Sequence, residues 1–93
     1  MAKKTKRKIQ EPDEAHNIVP QNAKEWINKG IALSMLDRLE EAIKCFDEAI
    51  KIDPQYVDAW LNKGASLDSL GRHEEAAKCR DEAGKLREEI PHE

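Results

Sequence analysis

Apolar side chains recur along this chain at the spacing of amphipathic α-helices, in three successive runs. The first run lies between residues 22 and 36, and its apolar positions are Trp26, Ile27, Ile31, Leu33 and Leu36. The second run consists of Leu39, Ala42, Ile43, Phe46, Ala49 and Ile50. The third restarts with Trp60, Leu61, Leu67 and Leu70. A fourth helix is predicted from about residue 73 to residue 89, so the pattern predicts an all-α fold.

Turn-forming residues separate these runs. Asp37 tolerates the left-handed backbone that a tight turn can require, and Gly71 follows the third run in the same way. Pro54 ends the second run and Pro91 ends the fourth, because the residue before a proline avoids the helical conformation. The spacing of these turns predicts two helix-turn-helix pairs.

The second pair repeats the sequence of the first. Residues 23–56 and 57–90 align without a gap and are identical at 16 of 34 positions, whereas chance gives about two identities at ordinary residue frequencies. The identities include Trp26 with Trp60, residues 28–30 with 62–64, and residues 40–42 with 74–76. A repeat of this length is typical of helix pairs that stack into a solenoid.

These residues resemble the tetratricopeptide repeat, whose marks are Trp, Gly, a large residue, Ala, Phe or Tyr, Ala and Pro over 34 residues. In the first unit the marks fall on Trp26, Gly30, Leu33, Ala42, Phe46, Ala49 and Pro54. In the second unit they fall on Trp60, Gly64, Leu67, Ala76, Arg80, Ala83 and Glu88. The segments N-K-G and C-F-D-E-A-I-K-I-D-P are similar to repeats from archaea and bacteria. The resemblance covers residues 22–90 and implies a two-repeat solenoid of four antiparallel helices within residues 21–93.

The second unit loses apolar bulk in its last helix. Phe46 becomes Arg80 and Ile50 becomes Gly84, as expected where the last helix of a stack meets water and acts as a cap. Isolated arrays commonly need three or more units. We therefore expect a marginal pair, or one helped by residues 18–19 packing on the first helix, or one that assembles with another copy.

Two glycines lie inside the predicted helices. Glycine costs about 1 kcal/mol relative to alanine in a helix interior. We therefore expect Gly30 and Gly64 to let two helix backbones approach closely.

By the same resemblance, the first helix of each pair lines a concave binding groove. The lining residues of unit one are Lys24, Ile27, Asn28, Ile31 and Met35, together with Ser34. Those of unit two are Asp58, Leu61, Asn62, Ala65 and Asp68, together with Ser69. One end is apolar and the other is acidic, which suits a peptide that carries an apolar anchor and a basic residue. In the alternative interpretation, Ile27, Ile31 and Leu61 belong to the core between the helices.

One branch of the family clamps the acidic carboxyl tails of heat-shock chaperones with Lys and Asn side chains. At the first clamp positions this chain has Ile27 and Ile31, which cannot donate hydrogen bonds to a carboxylate. Asn62 alone matches, so binding of chaperone tails is disfavoured.

Charge is divided unevenly along the chain, whose net charge is −3. Residues 1–20 carry five bases and three acids, which gives +2, and residues 21–93 carry 11 bases and 16 acids, which gives −5. Residues 1–20 have few apolar side chains to offset the entropy cost of ordering, so we expect a disordered basic tail. The bases in residues 3–8 are able to contact phosphates, but a solubilising role is the simpler interpretation.

Several classes of function are disfavoured. No phosphate-binding Gly-rich loop, His-x-x-x-His or Gly-x-Ser-x-Gly motif is present, so we expect no enzyme activity and no cofactor. His16, His73 and His92 show no metal-ligand spacing. Cys45 and Cys79 lie at equivalent positions of non-adjacent helices, and we expect both to be reduced. No segment has the length and apolarity of a membrane span, and no signal peptide is evident, so we expect a cytoplasmic protein.

The sequence therefore predicts a non-catalytic adaptor or scaffold that binds a partner peptide or protein on the concave groove. An alternative is homo-oligomeric assembly, in which copies stack or swap helix pairs. A weaker alternative is an accessory of nucleic acid or the ribosome that acts through the basic tail, although the acidic body disfavours nucleic acid as a partner.

Overall fold

The computed structural model describes residues 20–89, which form four α-helices. The helices are α1 (Ala23–Met35), α2 (Leu39–Ile52), α3 (Val57–Ser69) and α4 (His73–Glu89). Consecutive helices pack against one another, and α1 also contacts α3. The predicted all-α class and the two helix pairs are confirmed. Most of the predicted tail, together with the segment 18–19, lies outside the described residues.

The two helix pairs close with the same turn. Asp37 and Gly71 have backbone φ angles of 64° and 83°, both in the left-handed region. The backbone N–H of the next residue reaches back to the helix, from Arg38 to the Leu33 carbonyl at 2.9 Å and from Arg72 to the Leu67 carbonyl at 2.8 Å. These hydrogen bonds define a Schellman cap, which satisfies carbonyls that a helix end otherwise leaves unpaired. The predicted turns are therefore confirmed.

The core consists of two clusters that share α2 and α3. The first cluster joins α1, α2 and α3 through buried Ala23, Ile27, Ala42, Phe46, Ala49 and Ala59. The second joins α2, α3 and α4 through buried Ile43, Leu67, Ala76 and Cys79. Phe46 and Leu67 are the largest fully buried side chains, with exposures of 1% and 2%. Because α2 and α3 supply side chains to both clusters, they couple the two pairs.

Gly30 and Gly64 are crowded by different neighbours. A Cβ atom at Gly30 would lie 2.5 Å from Cε1 of the buried Phe46 ring. At Gly64 it would lie 3.3 Å from the backbone oxygen of Ala76. The expectation of backbone approach is right for Gly64 and wrong for Gly30, where an aromatic ring occupies the space that glycine leaves.

Candidate functional site

The predicted groove residues lie on two helices that contact each other, α1 and α3. On each helix they recur at intervals of one, three or four residues, which keeps them near one helical face. The exposed members are Lys24, Asn28, Met35, Asp58 and Ala65. The half-buried members are Ile31, Leu61, Asn62 and Asp68. We refer to these nine residues as the α1–α3 surface.

Ile27 does not belong to this surface, which corrects the sequence prediction. Its side chain is 4% exposed and lies in the first core cluster with Ala23 and Phe46. The interpretation of Ile27 as a core residue is therefore right. Ile31 packs against the same cluster but is only partly buried, so part of its side chain stays accessible.

The polar residues of the α1–α3 surface differ in how far they are already hydrogen-bonded. The Asn62 side-chain amide donates to the Asp58 carbonyl at 2.9 Å, and the Ser34 hydroxyl donates to the Ile31 carbonyl at 2.8 Å. Within residues 20–89, the structure shows no side-chain hydrogen bond from Lys24 or Asn28. These two side chains therefore keep their donors for a ligand.

The acidic end of the surface is weaker than the sequence indicates, because Asp68 is already paired. His73 Nδ1 lies 2.8 Å from one carboxylate oxygen of Asp68, and Arg80 Nη1 donates to the other at 2.5 Å. The hydrogen bond with His73, followed by that with Arg80, holds the pKa of the Asp68 carboxyl below its ordinary value. Asp58 therefore remains as the acidic residue available to a basic ligand.

Sequence reasoning did not predict the partners of Asp68. A signal was present, because Arg80 stands where the family places an aromatic residue. Its side chain reaches back across twelve residues to α3. His73 comes five residues after Asp68, on the other side of the Gly71 turn.

Sequence reasoning also missed a depression on the outer side of the first pair. We call it the outer face, and its lining residues are Lys29, Ala32, Leu33, Leu36, Arg38, Glu41, Lys44 and Cys45. Leu36 is 66% exposed there. Lys29 Nζ lies 5.6 Å from the centroid of the Trp26 ring, within the range of a cation–π contact. The face thus combines exposed apolar surface with positive charge.

The cysteines and one carboxyl group of α2 and α4 have shifted pKa values. Cys45 and Cys79 are free and buried, and burial raises the pKa of both thiols, so they are weak nucleophiles. Glu75 pairs with Arg72 at 2.6 Å, and that hydrogen bond lowers the pKa of the Glu75 carboxyl. Within residues 20–89, no three His, Cys, Asp or Glu side chains lie close enough together to hold a metal ion. No helix in this range is long and apolar enough to span a membrane.

Two family models, both described as tetratricopeptide repeat, match this chain over residues 23–56 and 45–78. The first match coincides with the first predicted repeat. The second begins in α2 and ends in α4, so it spans the junction between the pairs rather than the predicted unit at 57–90. The sequence matches no curated protein.

Together the two family matches run from residue 23 to residue 78 of the 93 residues. Tetratricopeptide repeats generally mediate protein–protein interactions, and proteins of this type are typically non-catalytic. The helix pairs, the Schellman turns and the shared core agree with that architecture. The chain belongs to the tetratricopeptide repeat family.

Proposed function

We propose that this protein is a non-catalytic adaptor that holds a partner peptide or protein on the α1–α3 surface. The observation that carries the proposal is the exposure of Met35, which is 80% accessible at the end of a stripe that also contains Ile31. Methionine is flexible and polarizable, and it suits surfaces that accept apolar side chains of varied shape. Family membership supports the same function.

The chemistry of the surface indicates the kind of partner. Met35, with the partly exposed Ile31 and Leu61, offers apolar contact. Lys24 and Asn28 offer hydrogen-bond donors, and Asp58 offers a carboxylate. A peptide that places an apolar anchor against Met35 and a basic residue near Asp58 satisfies this set, whereas a strongly acidic peptide does not.

A matched pair of substitutions tests the proposal. Ala65 and Ala77 are exposed alanines in helices of the second pair, but only Ala65 belongs to the α1–α3 surface. Random peptides displayed on phage are selected against the intact protein, and their binding to Ala65→Arg and Ala77→Arg is then measured. We expect Ala65→Arg to weaken binding at least about tenfold through steric and charge conflict, and Ala77→Arg to leave it unchanged.

Circular dichroism establishes that both variants keep the helical content of the parent protein. If folded Ala65→Arg binds the selected peptides as tightly as the parent, or if Ala77→Arg alone loses binding, the α1–α3 surface is not the binding site. Selection of mainly acidic peptides contradicts the proposed charge preference.

Self-assembly is the second candidate function. It is favoured by the presence of only two helix pairs within residues 20–89, because isolated arrays of such repeats commonly need three or more. Self-assembly predicts a mass that rises with protein concentration. Sedimentation of the full chain measures that mass directly. Contact with nucleic acid through the basic tail is a third proposal, and it concerns residues outside the described range.

A further inference from the structure

The second helix pair shows how its own outer side is covered. There α2 packs against α3, and its Ile43 side chain joins the buried cluster of Leu67, Ala76 and Cys79. Asp47 of α2 also pairs with Lys63 of α3, with 2.7 Å between Oδ1 and Nζ. One isoleucine and one aspartate, four residues apart on α2, therefore supply an apolar contact and an ionic contact.

The first pair repeats the residues that receive these contacts. Leu33, Ala42, Cys45 and Lys29 precede Leu67, Ala76, Cys79 and Lys63 by 34 positions. Among residues 20–89, however, no helix lies over them as α2 lies over the second pair.

Two side chains of the first pair have surroundings that differ from those of their equivalents in the second pair. Leu36 is 66% exposed, whereas its equivalent Leu70 packs against the second cluster. Lys29 lies over the Trp26 ring, whereas its equivalent Lys63 is paired with a carboxylate. Both differences lie at positions over which residues 20–89 place no helix.

The sequence before α1 continues the 34-residue period. Residues 9–21 align with residues 43–55 of α2 and its following turn, and 7 of the 13 positions are identical, whereas chance gives about one. The identical residues are Ile9, Asp13, Glu14, Ala15, Ile18, Pro20 and Gln21. Ile9 and Asp13 fall on Ile43 and Asp47, the two residues that contact the second pair.

We propose that residues 9–19 cover the outer face of the same chain as a degenerate half-repeat. In this arrangement Ile9 packs against Leu33 and Cys45, and Asp13 pairs with Lys29. The connection is long enough, because residues 19–22 correspond to the four residues 53–56 that join α2 to α3.

The charges of residues 9–19 and of the outer face are complementary. Residues 9–19 contain Glu11, Asp13 and Glu14 and no lysine or arginine. The outer face contributes Lys29, Arg38 and Lys44, against a single acid, Glu41. Opposite charges of this kind select an orientation and a register even where each exposed pair adds little stability.

The proposal agrees with the low apolar content of the tail. A segment that cannot bury enough surface by itself is able to order against a surface that supplies the missing contacts. Pro12 replaces Phe46 and is tolerated in the first turn of a helix, so a helix that begins there retains Asp13 and Ala15, and Ile9 lies one turn before its start.

A second copy of the chain offers a poorer cover. Its last helix, α4, has Ala77 and Gly84 at the positions of Ile43 and Ile50. This helix therefore lacks the apolar bulk that α2 brings to the second pair, and it does not fill the depression beside Leu33 and Leu36.

Cross-linking of the full chain tests the placement of Ile9. Cys45 and Cys79 are free and buried to similar extents, with exposures of 5% and 4%, so each serves as the control for the reactivity of the other. Ile9→Cys is oxidised with oxidised glutathione at low protein concentration, and the products are mapped by mass spectrometry. We expect an intramolecular disulfide to Cys45, formed at least about tenfold more often than one to Cys79. Lys4→Cys, placed outside the half-repeat, should show no preference.

Charge reversal tests the placement of Asp13 independently. Asp13→Lys is expected to lower the melting temperature of the full chain by about 2–5 °C, and Lys29→Asp should restore it in the double variant. Glu14→Lys is the matched control. It makes the same charge change at the position of Glu48, which pairs within its own helix with Lys51, so it should shift the melting temperature little.

The proposal is overturned by equal cross-linking to both cysteines, by an absence of cross-linking, or by a disulfide that joins two molecules. It is also overturned if Asp13→Lys and Glu14→Lys shift the melting temperature equally, or if Lys29→Asp fails to restore it.

Discussion

The two helix pairs fill the space beside an equivalent helix glycine with different side chains, an apolar ring in the first pair and a charged side chain in the second. In the first pair this position is Phe46, which is 1% exposed and fills the space beside Gly30. In the second pair it is Arg80, whose side chain is 50% exposed and pairs with Asp68. A Cβ atom at Gly64 would lie 3.7 Å from Cγ of Arg80, so the arginine stem covers part of the space that the ring fills in the first pair.

The difference follows from the number of neighbours that each helix has. Phe46 belongs to a cluster with Ile27 of α1 and Ala59 of α3, so it is enclosed from two sides. Among the described residues, α4 contacts α3 and has no helix on its other side. An aromatic ring at position 80 would leave one face in water, whereas arginine packs its apolar stem and keeps its charge solvated. The residue type at a repeat position therefore depends on the number of neighbouring helices as well as on the helix that carries it.

Truncation of Phe46 and of its equivalent Arg80 should give the largest difference in the free energy of unfolding. Phe46→Ala removes a fully buried ring and is expected to lower the free energy of unfolding by about 3–5 kcal/mol. Arg80→Ala removes an exposed ion pair and should cost much less. Urea unfolding followed by circular dichroism measures both. Equal losses would contradict the assignment of Phe46 to the core and of Arg80 to a solvated cap.

Alanine at the two helix glycines should give the next largest difference. Gly30→Ala places a methyl group against the immobile Phe46 ring and is expected to cost about 1–3 kcal/mol. Gly64→Ala meets the Ala76 carbonyl at a longer distance, and its gain in helix propensity of about 1 kcal/mol opposes that contact. Thermal unfolding ranks the two variants. The interpretation requires Phe46→Leu to reduce the cost of Gly30→Ala, and it is wrong if the two changes are additive.

Substitutions at the Asp37 and Gly71 turns should give a smaller difference in stability. Gly71→Ala forces an alanine into the left-handed region and is expected to cost about 1–2 kcal/mol. Asp37→Gly changes a residue that already adopts this conformation, so the change in stability should stay within about 1 kcal/mol. Equilibrium denaturation measures both. A larger loss for Asp37→Gly would indicate that the Asp37 side chain has a further role.

Lowering the pH should remove the contacts of the Asp68 carboxylate with His73 and Arg80, and we expect this change to have the smallest effect on stability. Because the pKa of Asp68 is lowered in the folded protein, the stabilisation is present above its unfolded value and is lost as the pH falls below about 4. Asp68→Asn lacks this contribution and should lose less stability than the parent between pH 5 and pH 3. Melting temperatures across this range measure the difference. Parallel curves for the two proteins would show that Asp68 does not stabilise the fold.

Much of the architecture could be predicted because it repeats. The period of apolar residues located three helices, the 34-residue repeat located the fourth, and Asp37 and Gly71 marked the turns. Burial along α1 was harder to predict, because Ile27 and Ile31 are both apolar and lie one turn apart. Only the packing of the Phe46 cluster shows that Ile27 is enclosed. The pairing of Asp68 with His73 and Arg80 also depends on how α3 and α4 meet, which periodicity does not specify.

The central claim is that the α1–α3 surface binds the partner, and chemical-shift mapping tests it most directly. A peptide selected against the intact protein is titrated into uniformly ¹⁵N-labelled full chain while the amide resonances are followed. We predict that the shifts concentrate on α1 and α3, around Asn28, Met35, Asn62 and Ala65, and saturate together. Shifts that instead concentrate on the exposed sides of α2 and α4 would contradict the claim.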